Sequence, residues 1–377
     1  MLMKGAVVDE SQKPVANASV FLNNTSIGTR ADAEGKFQIN IPAGRFDLIV
    51  SCVGYDTYSR SLNAGEIPSF LTVQLQTKAP EMEAVVIEPY EKDGWEKWGK
   101  FFVESFIGTS AFAQNCRIKN TETLRFKNSR RNNELTVMAS EPLIIENKTL
   151  GYTIEYKLEQ FSYSFKTRYL IFTGYPFFTP MKGNAKKQQK WDVKRTEAYE
   201  GSLLHFLRSV YRNQLAADGF EVRRLKKIPN LEKQRVKAIR KEMVTTGNKI
   251  RIHTSDSSKY YDKIMQEEDL INIVGKTVLP GDSIAYAVNT VTAGMDFNDF
   301  LLIIYTKKLV PVEYKNQFPK SATARMSELT LVNNNPIEIQ ANGSYYNPED
   351  LMSLGFWAWS EKMATMLPYD YKLPSTK

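Results

Sequence analysis

Between Gly5 and Gln76 the chain never runs much beyond about a dozen residues without a turn signal, and the stretches between these signals alternate apolar with polar side chains. Such a segment cannot form long helices. It can bury its apolar faces only by stacking short strands. Gly5–Asp9 reads as a first strand, Ala18–Leu22 as a second, and Lys36–Ile41 as a third that places Phe37, Ile39 and Ile41 on one side. Phe46–Val53 and Leu71–Leu75 complete the set. The turn Asp32-Ala33-Glu34-Gly35 pairs a side chain that can bond backbone two residues on with a glycine that tolerates positive φ. Gly54, which ends the strand before it, is expected to do the same. Two small sheets over one shared interior are the expected result.

The rest of the chain reads in three further stretches. Thr77–Pro89 has the composition of a linker, with Ala84–Ile87 able to add an edge strand. Asp93–Ile107 has helical spacing, with Trp95, Trp98, Phe102 and Phe106 on one face and Glu96, Lys97, Lys100 and Glu104 available to water. That aromatic face is expected to dock against the protein's own second domain, with a partner or membrane surface as the other reading. From Cys116 to Phe178, strands rich in aromatic and β-branched residues predict an antiparallel sheet. Glu200–Asp218 reads as one helix ended by Gly219, and a closing helix is expected near Asn347–Met366. Between them, strands are expected at Ile250–His253, Gly281–Val288, Asp299–Thr306, Val310–Asn316, Glu328–Val332 and Ile337–Ile339.

A length of 377 residues, 42% hydrophobic and 24% charged, fits a folded protein of at least two domains. The net charge of +8 is concentrated between Lys182 and Glu242, where about seventeen basic residues face about seven acidic ones. A solvated basic face is the plain reading of this block; an anionic lipid, lipopolysaccharide or acidic partner is the other. Two cysteines, Cys52 and Cys116, make no disulfide framework, so cysteine usage leaves the compartment open. No stretch has the ~18–20 apolar residues of a membrane-spanning helix. The start, Met1–Gly5, passes at once into strand-like sequence, so no secretory leader is expected in the chain as it stands.

Turn by turn, the front segment resembles the carboxypeptidase-regulatory-like domain. The resemblance is carried by Gly5-x-Val7-x-Asp9, Pro14-Val15-x-x-Ala18-x-Val20, Gly28-Thr29-x-x-Asp32-x-x-Gly35-x-Phe37, Pro42-x-Gly44 and Val50-Ser51-x-x-Gly54-Tyr55. It implies a transthyretin-like, carbohydrate-binding-like β-sandwich, the accessory domain of certain carboxypeptidases and not their zinc-bearing one. Similar domains precede outer-membrane transporters and many envelope proteins of Bacteroidota. Glu141–Asn147, Leu150–Tyr152, Tyr199-x-Gly201-Ser202-x-x-His205–Arg208, Gly355–Trp359 and Leu367–Tyr371 resemble uncharacterised envelope proteins of that group. Those proteins usually carry a leader, from which this chain departs. The resulting organisation is mainly β with some α. The transthyretin-like sandwich occupies 1–78, a linker and aromatic helix 79–115, and a larger antiparallel β-rich domain 116–377, with helices near 200–218 and 347–366.

Residue chemistry argues against the common enzyme classes. His205 and His253 are the two histidines, neither begins a His-x-x-Glu, and no cysteine pair stands in, so a catalytic zinc is not expected. Phosphate-cradling glycine motifs are absent, and Arg223-Arg224-Leu225-Lys226-Lys227 lacks a nucleic-acid-binding context. Ser202, three residues before His205, suits a helix cap better than a nucleophile. His205, Arg208 and Arg212 form a polar helical stripe able to grip a carboxylate or serve as a hydrogen-bonding face. The expectation is a non-enzymatic cell-envelope protein without cofactor, metal or nucleic-acid partner. Its sandwich would dock another envelope protein or contact a glycan. The alternative is a hydrolase or peptidoglycan-modifying enzyme with its site in the β-rich domain.

Overall fold

A computed structural model describes residues 1–63, 65–78, 90–245, 255–346 and 348–374. The expected strands at Ala84–Ile87 and Ile250–His253 lie outside these residues. In the front sandwich, β1 (Leu2–Val8), β4 (Lys36–Asn40) and β7 (Phe70–Gln74) form one sheet in the order β4-β1-β7. β2 (Ser19–Leu22), β3 (Gly28–Arg30), β5 (Arg45–Ser51) and β6 (Tyr58–Asn63) form the other, in the order β3-β2-β5-β6. Alternation turns Met3, Val7, Phe37, Ile39 and Val73 of the first sheet towards Val20, Leu22, Leu48 and Val50 of the second.

A second core lies under a six-stranded antiparallel sheet built from β8 (Cys116–Ile118), β9 (Leu124–Ser129), β10 (Glu134–Ala139), β11 (Leu143–Asn147), β12 (Tyr152–Ser164) and β13 (Tyr169–Pro180). Helix α1 (Gly94–Phe106) covers it, burying Phe102 and Phe106 completely. Each such ring contributes about 1.5–3 kcal/mol on leaving water. A third core sits between a five-stranded sheet and a three-stranded one. The larger holds β14 (Phe220–Pro229), β15 (Leu270–Val274), β18 (Phe300–Leu309), β19 (Ala324–Leu331) and β21 (Leu351–Gly355), in the order β15-β14-β18-β19-β21. The smaller holds β16 (Ala285–Ala287), β17 (Thr292–Met295) and β20 (Ile337–Gln340).

The remaining helices differ in part from the sequence reading. α2 (Ala185–Tyr199), capped by Asn184, precedes the expected helix, which itself divides into α3 (Leu203–Tyr211) and α4 (Leu215–Asp218). The break falls at Asn213, whose φ of 52° no right-handed helix accommodates. α5 (Leu231–Thr245) and α6 (Ser255–Gln266) form a hairpin between β14 and β15. Val310–Asn316, expected as a strand, is α7 (Val312–Gln317), entered through Pro311. Gly281–Val288 is a 3-10 turn followed by β16. Near 347–366 the expected long helix is replaced by a 3-10 turn, β21 and the short α8 (Phe356–Ser360). There the ladder between Leu351–Gly355 and Ser327–Leu331 outweighs local helix preference.

The sandwich is fastened to the rest through the loop after β2. Asn24 N–H donates to the Pro176 carbonyl (2.9 Å), Phe178 N–H to the Thr25 carbonyl (2.9 Å), and Tyr369 N–H to the Asn24 carbonyl (2.7 Å). The Ser26 N–H donates to Asp370 Oδ1 (2.9 Å), and its hydroxyl donates to the other carboxylate oxygen. Phe21 stacks on Phe177, Arg30 pairs with Glu155, and Arg45 pairs with Glu338 while lying 3.7 Å over the Tyr346 ring.

Two stability tests follow from this geometry. Gly35 has φ 73°, and an added Cβ would stand 2.5 Å from the Val7 carbonyl oxygen, whereas Gly54, at φ 87°, has open space around it. Gly54→Ala is expected to cost about 1–2 kcal/mol from backbone handedness alone, and Gly35→Ala more, as read by thermal unfolding. Equal costs would contradict the packing difference. Asp370→Ala removes two charge-assisted hydrogen bonds and is expected to cost about 1–3 kcal/mol while speeding proteolysis between sandwich and remainder.

Candidate functional site

Helix α3 and its two caps carry the polar residues singled out by sequence. Ser202 Oγ accepts a hydrogen bond from the main-chain N–H of His205 (3.0 Å), capping the helix. The His205 ring uses Nδ1 to accept from the Gly201 N–H (3.2 Å), and its Nε2 lies 3.9 Å from Asp218 Oδ2. Tyr199, Phe220 and Tyr305 pack around the imidazole, with ring centroids 4.6, 4.9 and 5.9 Å away. Burial lowers the His205 pKa to about 4, against the opposing charge of Asp218. At neutral pH the ring is therefore uncharged, its Nδ1 is engaged by the Gly201 backbone, and the Ser202 hydroxyl oxygen is engaged by the His205 main-chain N–H.

The expected stripe divides between interior and surface. Arg208 is buried, donating from Nε to the Asn342 carbonyl (2.8 Å) and from a terminal nitrogen to the Tyr369 carbonyl (3.1 Å). Arg212 is nearly half exposed and pairs with Asp218 at 2.7 Å. Burial works against the Asp218 carboxylate, but hydrogen bonds from Ser209 and Arg212 and the Arg212 charge hold it below the usual range. The aromatic face of α1 is likewise spent internally. Phe102 and Phe106 lie in the second core, Trp98 packs 5.7 Å from Phe165, and Trp95 keeps 36% of its surface exposed beside Phe126.

The basic block spreads over α2, α3, β14 and α5 instead of forming one helical face. Much of it is paired: Arg195 with Asp192, Lys227 with Glu328, Lys233 and Lys237 with Asp269, and Arg240 with Asp262. Cys52 and Cys116 are free thiols, and burial pushes Cys116 up to about 12. Among the described residues no three His, Cys, Asp or Glu side chains converge as metal ligands, and no helix is long and apolar enough to cross a membrane.

Two features carry more chemistry than the sequence announced. The first is a crevice of about 80 Å³ between the second and third cores, lined by Ser202, Arg325, Trp359, Ser360 and Glu361. It can hold a few waters but is well below the ~300 Å³ of ordinary small-molecule pockets. Leu203 N–H donates to Glu361 Oε1 (3.3 Å), and Arg325 donates to the Glu200 and Leu309 carbonyls. Burial raises Glu361 to about 7, opposed by the Leu203 N–H, Lys362 and Arg325, while burial lowers Lys362 to about 8. No sequence spacing links Glu361 with Arg325; the chain passes through β21 and α8 before bringing them together.

The second feature is the free end of the sandwich. The pairings Ala6↔Lys36 and Ser19↔Ser51, and the parallel pairing Val8↔Gln74, place the turns at 9–14, 32–35 and 52–55 together, opposite the fastened loop. The first two of these turns are braced by side chains, and the third is closed by the Tyr55 N–H donating to the Cys52 carbonyl. Asp9 Oδ1 accepts from the Ser11 and Lys13 N–H groups, Asp32 Oδ1 from those of Glu34 and Lys36, and the Glu10 carboxylate from Thr77. Val53, 68% exposed, projects from the third turn.

Opposite pH responses are expected from the two perturbed groups. Because the folded Glu361 keeps its proton to about pH 7, its contribution is full below the unfolded value of 4.5 and lost as pH rises towards 7. His205 resists protonation, so its contribution is present above 6.5 and lost as pH falls towards 4. Denaturant unfolding between pH 4.5 and 7 is expected to show Glu361→Gln more stable at the upper end relative to wild type than at the lower. An identical pH slope in both would contradict the burial of this carboxyl.

Residues 3–87 match the CarboxypepD_reg-like domain family, a span that takes in the sandwich strands except Leu2. No curated protein matches the chain. A protein from Bacteroides fragilis, described as membrane-associated and of unknown function, has a crystal structure that aligns over 93% of each chain at 10% identity with a TM-score of 0.16.

Proposed function

We propose that the chain is a non-enzymatic binding protein of the cell envelope, whose front sandwich contacts a partner protein or glycan through its free end. The observation that carries this reading is the opposition of the two ends. One is clasped to the remainder by main-chain hydrogen bonds and the Asp370–Ser26 contact; the other presents three turns to solvent, two of them braced by aspartate side chains. A rigid mount and preorganised loops reduce the entropy lost on binding. The envelope address rests on the resemblance of the front domain to modules found in envelope proteins. The larger part of the chain then serves as the platform, which accounts for its polar side chains being consumed by capping, ion pairing and loop anchoring.

A second reading, acid–base chemistry in the crevice, is favoured by Glu361, since a carboxyl at about 7 can exchange a proton near neutrality. Its volume of about 80 Å³ admits water or a small ion, not a sugar ring or peptide side chain. Co-sedimentation of the full chain with isolated cell envelopes tests the two readings. Val53→Asp combined with Glu34→Lys is expected to weaken retention about tenfold at unchanged melting temperature, and Glu361→Gln to leave it unchanged. Turnover of peptide, ester or glycoside substrates that Glu361→Gln or Ser202→Ala abolishes in a folded protein would overturn the proposal.

A further inference from the structure

Strand β15 stands at the outer edge of the five-stranded sheet, and every residue from Leu270 to Val274 is exposed. Four of the five are large and apolar: Leu270, Ile271, Ile273 and Val274 keep 47%, 46%, 49% and 43% of their surface in water. A long apolar edge is a template for another strand, and proteins normally blunt such edges with charge, proline or a cover. Among the described residues, no strand pairs with the outer side of β15.

Its hydrogen-bonding phase can be read from its ends. Asn230 N–H donates to the Asp269 carbonyl, and Gly275 N–H to the Arg224 carbonyl, so residues 269 and 275 point their main-chain groups inward at β14. Alternation along an antiparallel ladder assigns Ile271 and Ile273 to the same side, which leaves the N–H and C=O groups of Leu270, Asn272 and Val274 facing outward. Pro229, opposite Leu270, is consistent with this phase, because that pair needs no N–H from the proline.

We propose that β15 pairs with β15 of a second copy of this chain, antiparallel about a two-fold axis through Asn272. In that register Asn272 meets Asn272, Leu270 meets Val274, and Ile271 meets Ile273. All three outward-facing residues then fall in hydrogen-bonded pairs, and the two five-stranded sheets become one continuous sheet. The flanking charges choose the same occupant. Two residues beyond either end of the strand, Glu268 of one copy comes near Lys276 of the other in this register. Both side chains are exposed, and among the described residues neither has an ion-pair partner within its own chain. A strand with acid before it and base after it is complementary to itself when reversed.

Sedimentation of the full chain across micromolar concentrations tests the assignment. Wild type is expected to form a dimer. Asn272→Lys, which sets like charges face to face on the axis without touching the bonds to β14, is expected to be monomeric with an unchanged melting temperature. Lys276→Glu is expected to raise the dimer dissociation constant about tenfold, and the double variant Glu268→Lys/Lys276→Glu to restore it. A wild type that stays monomeric at 100-fold higher concentration (~100 µM against ~1 µM,) would overturn the proposal. So would a dimer indifferent to Asn272→Lys, or a charge swap that fails to rescue.

Discussion

The run from Phe356 to Tyr371 ties the separate cores of the molecule to one another. Phe356, Trp357 and Trp359 close the third core; Met363, Ala364, Leu367 and Tyr371 enter the second; Tyr369 and Asp370 hold the loop of the first. This run of sixteen residues thus enters two hydrophobic interiors and is hydrogen-bonded to the loop of the third unit. Main-chain bonds from Met363 to Phe106 and from Ala364 to Ile107, together with Asn147 Nδ2 to the Ala364 carbonyl, leave little freedom in how this stretch is seated. Loss of its packing would remove one of the sandwich's fastenings and open the crevice together, because the same segment contributes to both.

This arrangement explains why polar residues that look chemically promising are occupied. Arg208 reaches across to the Tyr369 carbonyl, His205 accepts from Gly201, and Trp357 Nε1 donates to the Gly201 carbonyl at 2.8 Å. Each satisfies a buried main-chain group that would otherwise cost about 1–3 kcal/mol. Such a cluster joins helix, loop and tail and confers position more than reactivity. Glu361 differs in kind: it keeps a carboxyl close to its protonation midpoint near neutrality because a helix N-terminus, Arg325 and Lys362 only partly offset its burial.

The front sandwich was legible in the sequence because its causes are local. Alternation with period two assigns each side chain to a face, and Asp32 and Gly35 form their turn within four residues. The aromatic spacing of α1 was equally legible, since four residues at helical intervals define a face whatever lies against it. Less legible were segments whose conformation is chosen by a distant partner. Leu351–Gly355 becomes a strand because β19 offers an edge, and Glu200–Asp218 breaks at Asn213 to let Leu215 and Phe220 share the third core.

Fold class, the sandwich and the faces of its strands follow from hydrophobic period and turn chemistry, which act between near neighbours. Which end of the sandwich is clasped, how Arg325 and Glu361 come to line one crevice, and which strand is left at the sheet edge emerge only once the chain is folded. The physical reason is that these outcomes depend on contacts between residues far apart in the chain, such as Ser26 with Asp370. Sequence patterns specify what must be buried or bonded, but not which distant surface supplies the partner.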